Sequence, residues 1–285
     1  MVTGVMTRSI DVMHLGRDRV IGAYELDEGV IVDPGPASTV ETLLEHVEPR
    51  VLLLTHIHLD HAGATGVLVR RYPGLEVYVH ERGAPHLIDP SKLLKSAGQL
   101  YGDDMDRLWG EVAPVPEERI TTLSGGETVA GCRVEYAPGH ASHHVVYLHE
   151  DSGDAFVGDV GGVRVPPAEL TIAPTPPPDI DVEKWRASLD LVERWGPQRL
   201  CLTHFGTVDE PGAQIERVRA WLRDWGPRAR ELDKEAWCAA VTERMHERGD
   251  EIGVRLEQAA PPDQLWLGLD RYWRKKAERE ASAPA

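Results

Sequence analysis

The sequence predicts an α/β fold in which two groups of short strands are flanked by helices, with a helical extension at the carboxyl end. Continuous aliphatic runs such as 51–54 are typical of buried strands. Segments with apolar residues at helical spacing separate these runs, and beyond residue 210 only helical patterns remain. A chain of 285 residues can bury one large core, or one core and a small appendage.

In the first half, the pattern predicts strands at 10–14, 20–26, 51–54 and 77–79. A helix is predicted from Ser38 to about Val47, because Ser38 can act as its N-cap and Glu41 stands three residues later. A second helix follows residue 62, where Val67, Leu68 and Val69 recur at helical spacing.

The second half repeats this arrangement. Strands are predicted at 133–136, 145–148, 155–157 and 200–202, with a helix at 182–195. Helices are then predicted at 214–225, 235–248 and 263–280. We therefore divide the chain into a main α/β domain at 1–210 and a helical extension at 211–285 that packs on it. Five of the eight tryptophans lie beyond residue 220, so the alternatives are a homodimer through the carboxyl-terminal helices or a wall of a functional site.

Two insertions are expected to shape a pocket. Residues 83–118 mix polar and apolar side chains at helical spacing and form either a surface excursion or a lid. His86 and Tyr101 are the candidate pocket residues of this insertion. The second insertion, 165–179, is rich in proline, which stiffens a loop, and it is expected to run beside the site as a pocket wall or as a plain connector.

The strongest chemical signal is His56-x-His58-x-Asp60-His61, directly after the strand at 51–54. Residues two apart in an extended segment point the same way, so His56 and His58 can reach one ion. A turn into the next helix would direct Asp60 and His61 to a second ion. Imidazole and carboxylate suit a borderline divalent cation such as zinc. Without a metal, such a cluster would repel itself on protonation and need many partners.

The motif resembles the signature of the metallo-β-lactamase-fold hydrolase superfamily. Four further motifs of that family stand in the same order: Asp33-Pro34-Gly35, Pro138-Gly139-His140, Gly158-Asp159 and Thr203-His204. The similarity runs from about residue 10 to 210 and implies a four-layer αββα sandwich. Its general outline is similar to the hydroxyacylglutathione hydrolase (glyoxalase II-like) branch.

The resemblance implies a ligand set. His56, His58 and His140 would bind a first metal. A second metal would be bound by Asp60, His61 and His204, and Asp159 would bridge the two. Relatives use two zinc ions, iron or manganese, and these donors accept all three, with zinc preferred here.

The implied chemistry is hydrolysis. Two divalent ions hold a hydroxide, which attacks an electrophilic carbonyl or phosphorus centre. Asp60 is the predicted catalytic residue, because it can bind the second ion and also steer the proton of the hydroxide. In the family, a histidine four residues after the Pro-Gly-His ligand packs near the site. His144 matches that spacing, and His143 replaces the usual glycine, so both are predicted to support the ligands rather than to bind metal.

The predicted substrate is a small molecule with a thioester, a lactone or another carboxylic ester. Residues 160–166 and the tail lack a recognisable glutathione site. Phosphoester hydrolysis on the same site is an alternative, and a mononuclear iron persulfide dioxygenase is an alternative of another class.

The formal charge of −16 opposes nucleic-acid and membrane partners, which need a positive field. Three cysteines without close pairing indicate a reducing compartment. Residues 1–10 lack the apolar core of a signal peptide, so a cytoplasmic location is expected.

Overall fold

The computed structural model describes residues 7–282. The parts of the predicted domain boundaries and of the signal-peptide argument that fall on residues 1–6 and 283–285 lie outside the described residues.

The first sheet has six strands in sequential order. Its first three strands pair antiparallel, and its last four run parallel. The strands are β1 (Arg8–Asp11), β2 (Gly22–Glu25), β3 (Val30–Val32), β4 (Val51–Leu53), β5 (Glu76–His80) and β6 (Ile120–Leu123).

The second sheet also has six strands, and a separate two-stranded ribbon follows its fourth strand along the chain. In chain order the strands are β7 (Thr128–Val129), β8 (Cys132–Tyr136), β9 (Val145–His149), β10 (Asp154–Phe156), β11 (Val163–Arg164), β12 (Thr171–Ile172), β13 (Arg199–Leu202) and β14 (Gly206–Val208). The order across the sheet is β14-β13-β10-β9-β8-β7, and β11 pairs with β12.

Short helices accompany the first sheet, and longer ones follow the second. The first six are α1 (Val40–Leu44), α2 (Leu59–Ala62), α3 (Thr65–Arg71), α4 (Ala84–Ile88), α5 (Ser91–Tyr101) and α6 (Met105–Trp109). The last six are α7 (Val182–Trp195), α8 (Pro211–Asp224), α9 (Arg228–Glu231), α10 (Lys234–His246), α11 (Asp250–Ala259) and α12 (Pro262–Ser282).

The alternation of side chains along the strands creates the layers. In β4, Leu53 joins a cluster between the two sheets, whereas Leu52 packs with the outer helices of the first sheet. In β13, Cys201 joins the same cluster between the sheets, and Leu200 and Leu202 face the opposite way, toward α7 and α8. The predicted αββα sandwich with carboxyl-terminal helices is therefore confirmed.

The carboxyl-terminal helices share one hydrophobic cluster with α7 and the second sheet. Trp221 of α8, Trp237 of α10 and Leu269 of α12 pack together with Trp185 of α7. A division into domains at residue 210 stays a prediction.

Several element bounds differ from the prediction. The helix expected to reach Val47 ends at Leu44, five residues before Pro49, which disfavours helix in the residue preceding it. The structure also contains elements that were not predicted, namely the strands β3, β6, β7, β11, β12 and β14 and the helices α9 and α11. Within residues 7–282, no helix is both long enough and apolar enough to cross a membrane.

Candidate metal centre

The predicted site residues meet at one edge of the sandwich, where strands end. His56 to His61 follow β4, and His140 follows β8. Asp159 lies in a turn after β10, and His204 follows β13. Because β8, β10 and β13 run in the same direction, their carboxyl ends share an edge. All seven predicted ligand residues are brought together there.

The side chains form two groups, and within each group the potential ligand atoms lie within 4.8 Å of one another. The first group contains His56, His58, His140 and Asp159. His58 Nδ1 and His140 Nε2 are 2.9 Å apart, and His140 Nε2 is 3.1 Å from Asp159 Oδ2. Donors bound tetrahedrally to one zinc at 2.0–2.1 Å would lie roughly 3.3 Å apart, so these spacings suit a single ion.

The second group contains Asp60, His61 and His204. His204 Nε2 lies 3.3 Å from Asp60 Oδ2, and His61 Nε2 lies 3.9 Å from the same oxygen. The helix α2 makes this possible, because its turn rotates Asp60 and His61 away from the direction of the extended segment before it.

Asp159 stands between the groups. Its Oδ2 faces His140, while its Oδ1 lies 3.1 Å from His61 Nε2 and 3.5 Å from His204 Nε2. One carboxylate thus offers one oxygen to each group, which is the arrangement needed to bridge two cations.

The other ring nitrogens of the histidines are fixed by partners outside the cluster. His140 Nδ1 donates to the carbonyl of Pro174 at 2.9 Å, and His204 Nδ1 donates to the carbonyl of Val20 at 2.6 Å. Because Nδ1 carries the proton, the Nε2 lone pair of each neutral ring points into the cluster, as metal binding requires.

Asp33 performs the same task for the His56–His61 segment. Its Oδ2 accepts hydrogen bonds from His61 Nδ1 at 2.8 Å, Thr55 Oγ1 at 2.7 Å and Thr203 Oγ1 at 3.2 Å. Since the Thr55 hydroxyl donates to Asp33, it can accept from His56 Nδ1, 3.1 Å away. From the sequence, Asp33 was identified only as part of the Asp33-Pro34-Gly35 turn, and no role was predicted for its side chain. Its position directly after an apolar strand, opposite the histidine motif, was the available signal for this role.

The cluster leaves buried polar atoms without partners. His56 Nε2, His61 Nε2, His204 Nε2 and Asp159 Oδ1 are all inaccessible to solvent and have no hydrogen-bond partner among residues 7–282. Burying such atoms unpaired costs about 1–3 kcal/mol each, and a shared cation would satisfy them together. The donor set therefore fits divalent metal ions.

Burial and neighbouring charges set the protonation states. Burial lowers the pKa of His56 well below its usual value, and burial with the nearby His140 lowers the pKa of His58 to about 4. For His61, burial opposes protonation, but the carboxylates of Asp159, Asp33 and Asp60 outweigh it and raise its pKa. The carboxylates around the second group thus favour positive charge there, which a bound cation would supply in place of a proton.

The four remaining candidates lie around the cluster. His144 is fully buried and stacks on His56 with ring centroids 4.8 Å apart, and its two ring nitrogens have no partner in the described chain. His143, His86 and Tyr101 line a cavity of about 540 Å³ above the cluster, together with His58, Asp60 and Asp159. The insertion and the proline-rich loop also line this cavity.

Two glycines allow the backbone to approach closely at the site. Gly139, with a φ of +136°, precedes His140, and a Cβ there would lie 2.3 Å from the Cα of Trp185. Gly158, with a φ of +45°, precedes Asp159, and its Cβ would lie 2.6 Å from Thr55 Oγ1. Both positions favour glycine for its left-handed conformation and for the lack of space.

Comparisons with known proteins agree with this geometry. Residues 21–204, which include all seven side chains, match the family model of the metallo-beta-lactamase superfamily. The metallo-beta-lactamase fold-containing protein ST1585 of Sulfurisphaera tokodaii is 27% identical over 200 residues, covering 68% of this chain and 74% of that protein. Its crystal structure has a TM-score of 0.65 at 25% identity and covers 75% of this chain and 84% of its own.

Hydroxyacylglutathione hydrolases are also similar over part of the chain. The protein of Xanthomonas campestris pv. campestris is 31% identical over 150 residues, which is 50% of this chain. The chain spans less than half of that protein's length, 46%.

A third similarity extends into the carboxyl-terminal helices. The structure of the metallo-beta-lactamase family protein TTHA1429 from Thermus thermophilus covers 97% of this chain and 95% of its own, with a TM-score of 0.69 at 18% identity. That likeness concerns the fold alone. The family match over most of the sandwich, with the site built at its edge, establishes that this chain belongs to the metallo-beta-lactamase superfamily.

Proposed function

We propose that the chain is a dinuclear metal-dependent hydrolase that cleaves a small ester-type substrate. The observation that carries the proposal is the convergence of buried, unpartnered donor atoms from His56, His61, His204 and Asp159 beneath an open cavity. In the proposed assignment, the first ion is bound by His56, His58 and His140, the second by Asp60, His61 and His204, and Asp159 bridges them.

When bound, such ions supply a nucleophile at neutral pH and polarise the oxygen of the bond that is cleaved. Asp60 is the proposed catalytic residue, because its side chain is 23% exposed and lines the cavity. Burial opposes ionisation of this carboxyl, but His61 and His204 lower its pKa well below the usual value. Asp60 is thus an ionised carboxylate that can accept a hydrogen bond from the nucleophile and so orient its proton.

The reaction class is supported by relatives. The similar hydroxyacylglutathione hydrolases are named for the hydrolysis of an acylated glutathione, which supports ester-type cleavage here. They match 29–46% of their own length, so the identity of the substrate does not follow from them. Thioesters, lactones and other carboxylic esters are therefore the proposed substrate class.

The test begins with metal removal. Protein stripped by a chelator and reloaded with zinc, manganese or iron(II) should bind up to two equivalents and gain thermal stability by mass action. Each form is then assayed with a thioester, a lactone, an aryl ester and a phosphoester. We expect turnover of a carboxylic ester that depends on the second equivalent of metal.

The matched variant is Asp60→Ala. The variant should fold, because the site lies on loops above an intact sheet. Its turnover should be lower by orders of magnitude, because the proposed catalytic carboxylate is missing. Full activity of this variant would refute the role of Asp60. The dinuclear proposal would be refuted if the protein bound only one equivalent of metal and if neither metal binding nor turnover required the side chains of the second group.

The alternatives give different results. Preferential turnover of the phosphoester would indicate a phosphoester hydrolase. Oxygen uptake with a persulfide and iron would indicate the dioxygenase, although convergence of Asp60, His61 and His204 favours two ions. A cytoplasmic location, the absence of nucleic-acid and membrane partners, and a homodimer through the carboxyl-terminal helices stay predictions.

A further inference from the structure

The walls of the cavity above the cluster differ sharply from its base. The base presents His58, Asp60 and Asp159, which are polar or charged. The volume of about 540 Å³ lies within the range of roughly 300–1,000 Å³ that is usual for small-molecule sites. The chemistry of the walls should therefore indicate which part of a substrate lies against them.

One wall is the apolar stripe of α5. Leu93, Ala97 and Leu100 stand at helical spacing and all line the cavity. Leu94, the next residue on the same helix, does not line it. Leu93 and Leu100 are only half-buried, so apolar surface of this helix faces an open space rather than a packed core.

A second wall comes from the junction of α11 and α12. Ala259, Pro261 and Leu265 line the cavity there. Polar side chains at this junction are occupied by protein partners. Gln264 Oε1 accepts from the Tyr101 hydroxyl at 3.3 Å. Gln258 donates to the carbonyl of His14 at 3.0 Å. The surface left for a ligand on this side is thus largely apolar.

Apart from the two carboxylates of the cluster, most of the charged side chains that line the cavity are exposed, and the half-buried Asp179 accepts a hydrogen bond from the Ser142 hydroxyl. Arg82 and Lys92 are exposed, and exposed Arg107 pairs with Asp104 at 2.9 Å. Among the described residues that line the cavity, the fully buried ones above the base are apolar, except His14 and His143. An anionic group deep between the walls would have no cationic partner there, whereas a hydrocarbon group would remove apolar surface from water.

We infer that the acyl part of the substrate is an apolar hydrocarbon group that lies between α5 and the α11–α12 junction. This inference rests on the proposed function, since it places the ester bond over Asp60 and Asp159. It assigns substrate selectivity to Leu93, Ala97, Leu100 and Leu265.

The test uses aryl esters of unbranched acids from two to eight carbons, with the metal-loaded full chain. A methylene fully removed from water contributes about fourfold in binding. We expect kcat/KM to rise at least about tenfold from acetate to octanoate. Leu100→Ala should reduce the octanoate-to-acetate ratio about three- to tenfold. Leu94→Ala, the matched control on the same helix, should leave this ratio unchanged.

A binding measurement separates this inference from the proposed function. Calorimetry with the free acids should give at least about tenfold tighter binding of octanoate than of acetate. If chain length affects neither kcat/KM nor acid binding, the inference is overturned, even when esters are hydrolysed. If octanoate binds selectively but no ester is turned over by the protein with two ions, the proposed function fails and the apolar site stands. An equal change in Leu94→Ala and Leu100→Ala would also overturn it.

Discussion

The base of the cavity, here called its floor, and the helical segments that form its walls, here called its roof, are held in place in different ways. The floor is the cluster from His56 to His204, where ring nitrogens donate to fixed outer partners such as Asp33 at 2.8 Å and Pro174 at 2.9 Å. The roof consists of α5, α6 and residues 258–265, and within residues 7–282 the one direct hydrogen bond between those helices and the last segment runs from Tyr101 to Gln264 at 3.3 Å. Under the proposed function, the chemistry belongs to the edge of the sandwich, whereas selectivity depends on segments that tolerate change.

The largest expected effect comes from the floor. Asp159→Ala removes the carboxylate that lies 3.1 Å from both His140 and His61. We expect loss of tightly bound metal and a fall in activity by several orders of magnitude, because both groups lose a ligand. Elemental analysis after dialysis measures the metal. The exposed Asp151→Ala should behave like the unmodified protein, and retention of both ions by Asp159→Ala would contradict the bridging role.

A smaller effect on metal affinity and activity is expected from Asp33, which binds a candidate ligand by a hydrogen bond. Asp33→Asn keeps the shape of the side chain, but its amide nitrogen cannot accept the hydrogen bonds that Oδ2 receives from His61, Thr55 and Thr203. Metal affinity or activity should fall about 10–100-fold, as is usual for the partners of metal ligands. Metal titration with a competing chelator measures the change. Unaltered affinity would show that the histidines are oriented without this carboxylate.

Gly268→Ala tests how the roof is attached. A Cβ at this position of α12 would lie 1.9 Å from the carbonyl oxygen of Thr175, so the helix must move away from the proline-rich loop. We expect a loss of about 1–3 kcal/mol in the free energy of unfolding. The matched change Gly98→Ala, in the exposed part of α5 with no atom within 4 Å, should instead stabilise by about 0.5–1 kcal/mol. Denaturant unfolding measures the free energy of unfolding of both variants and shows whether the two changes have opposite signs.

The smallest effect concerns an exposed contact between α7 and α12. Burial opposes ionisation of Glu183, but Lys276 and the Tyr272 hydroxyl outweigh it and lower the pKa to about 2. A lowered folded-state pKa gives stability that is present above the unfolded value of 4.5 and is lost as the pH falls toward 2. Glu183→Gln should therefore destabilise slightly at pH 7 and less at pH 3. Because this side chain is 54% exposed, the difference should be small, and an equal difference at both pH values would contradict it.

Local spacing in the sequence predicts the His56–His61 part of the floor, whereas His140, Asp159 and His204 were predicted through the resemblance to the superfamily. The candidate ligands lie in segments that follow predicted strands, and the spacing from His56 to His61 already separates two pairs. The carboxyl ends of neighbouring strands meet at one edge of a sheet, and the turns that follow them orient the individual side chains.

The outer partners and the roof could not be predicted in this way. Asp33 and Thr203 meet although they are 170 positions apart, and the Pro174 carbonyl that accepts from His140 leaves no mark in the side-chain pattern. The helix α11 was overlooked because only Gly253 and Leu256 of its ten residues are buried. These features depend on tertiary packing, which the apolar periodicity of a single segment does not encode.

A continuous line of contacts joins the last helix to the floor. The Thr175 hydroxyl donates to the carbonyl of Leu265 at 2.9 Å, and the neighbouring Pro174 carbonyl accepts from His140 at 2.9 Å. A premature stop codon or a proteolytic cut after Pro261 would therefore weaken the support of the His140 imidazole, which lies more than a hundred positions earlier in the chain. Residues after Pro261 thus help to fix the loop that orients a candidate metal ligand, and truncated versions would be poor substitutes for the full polypeptide.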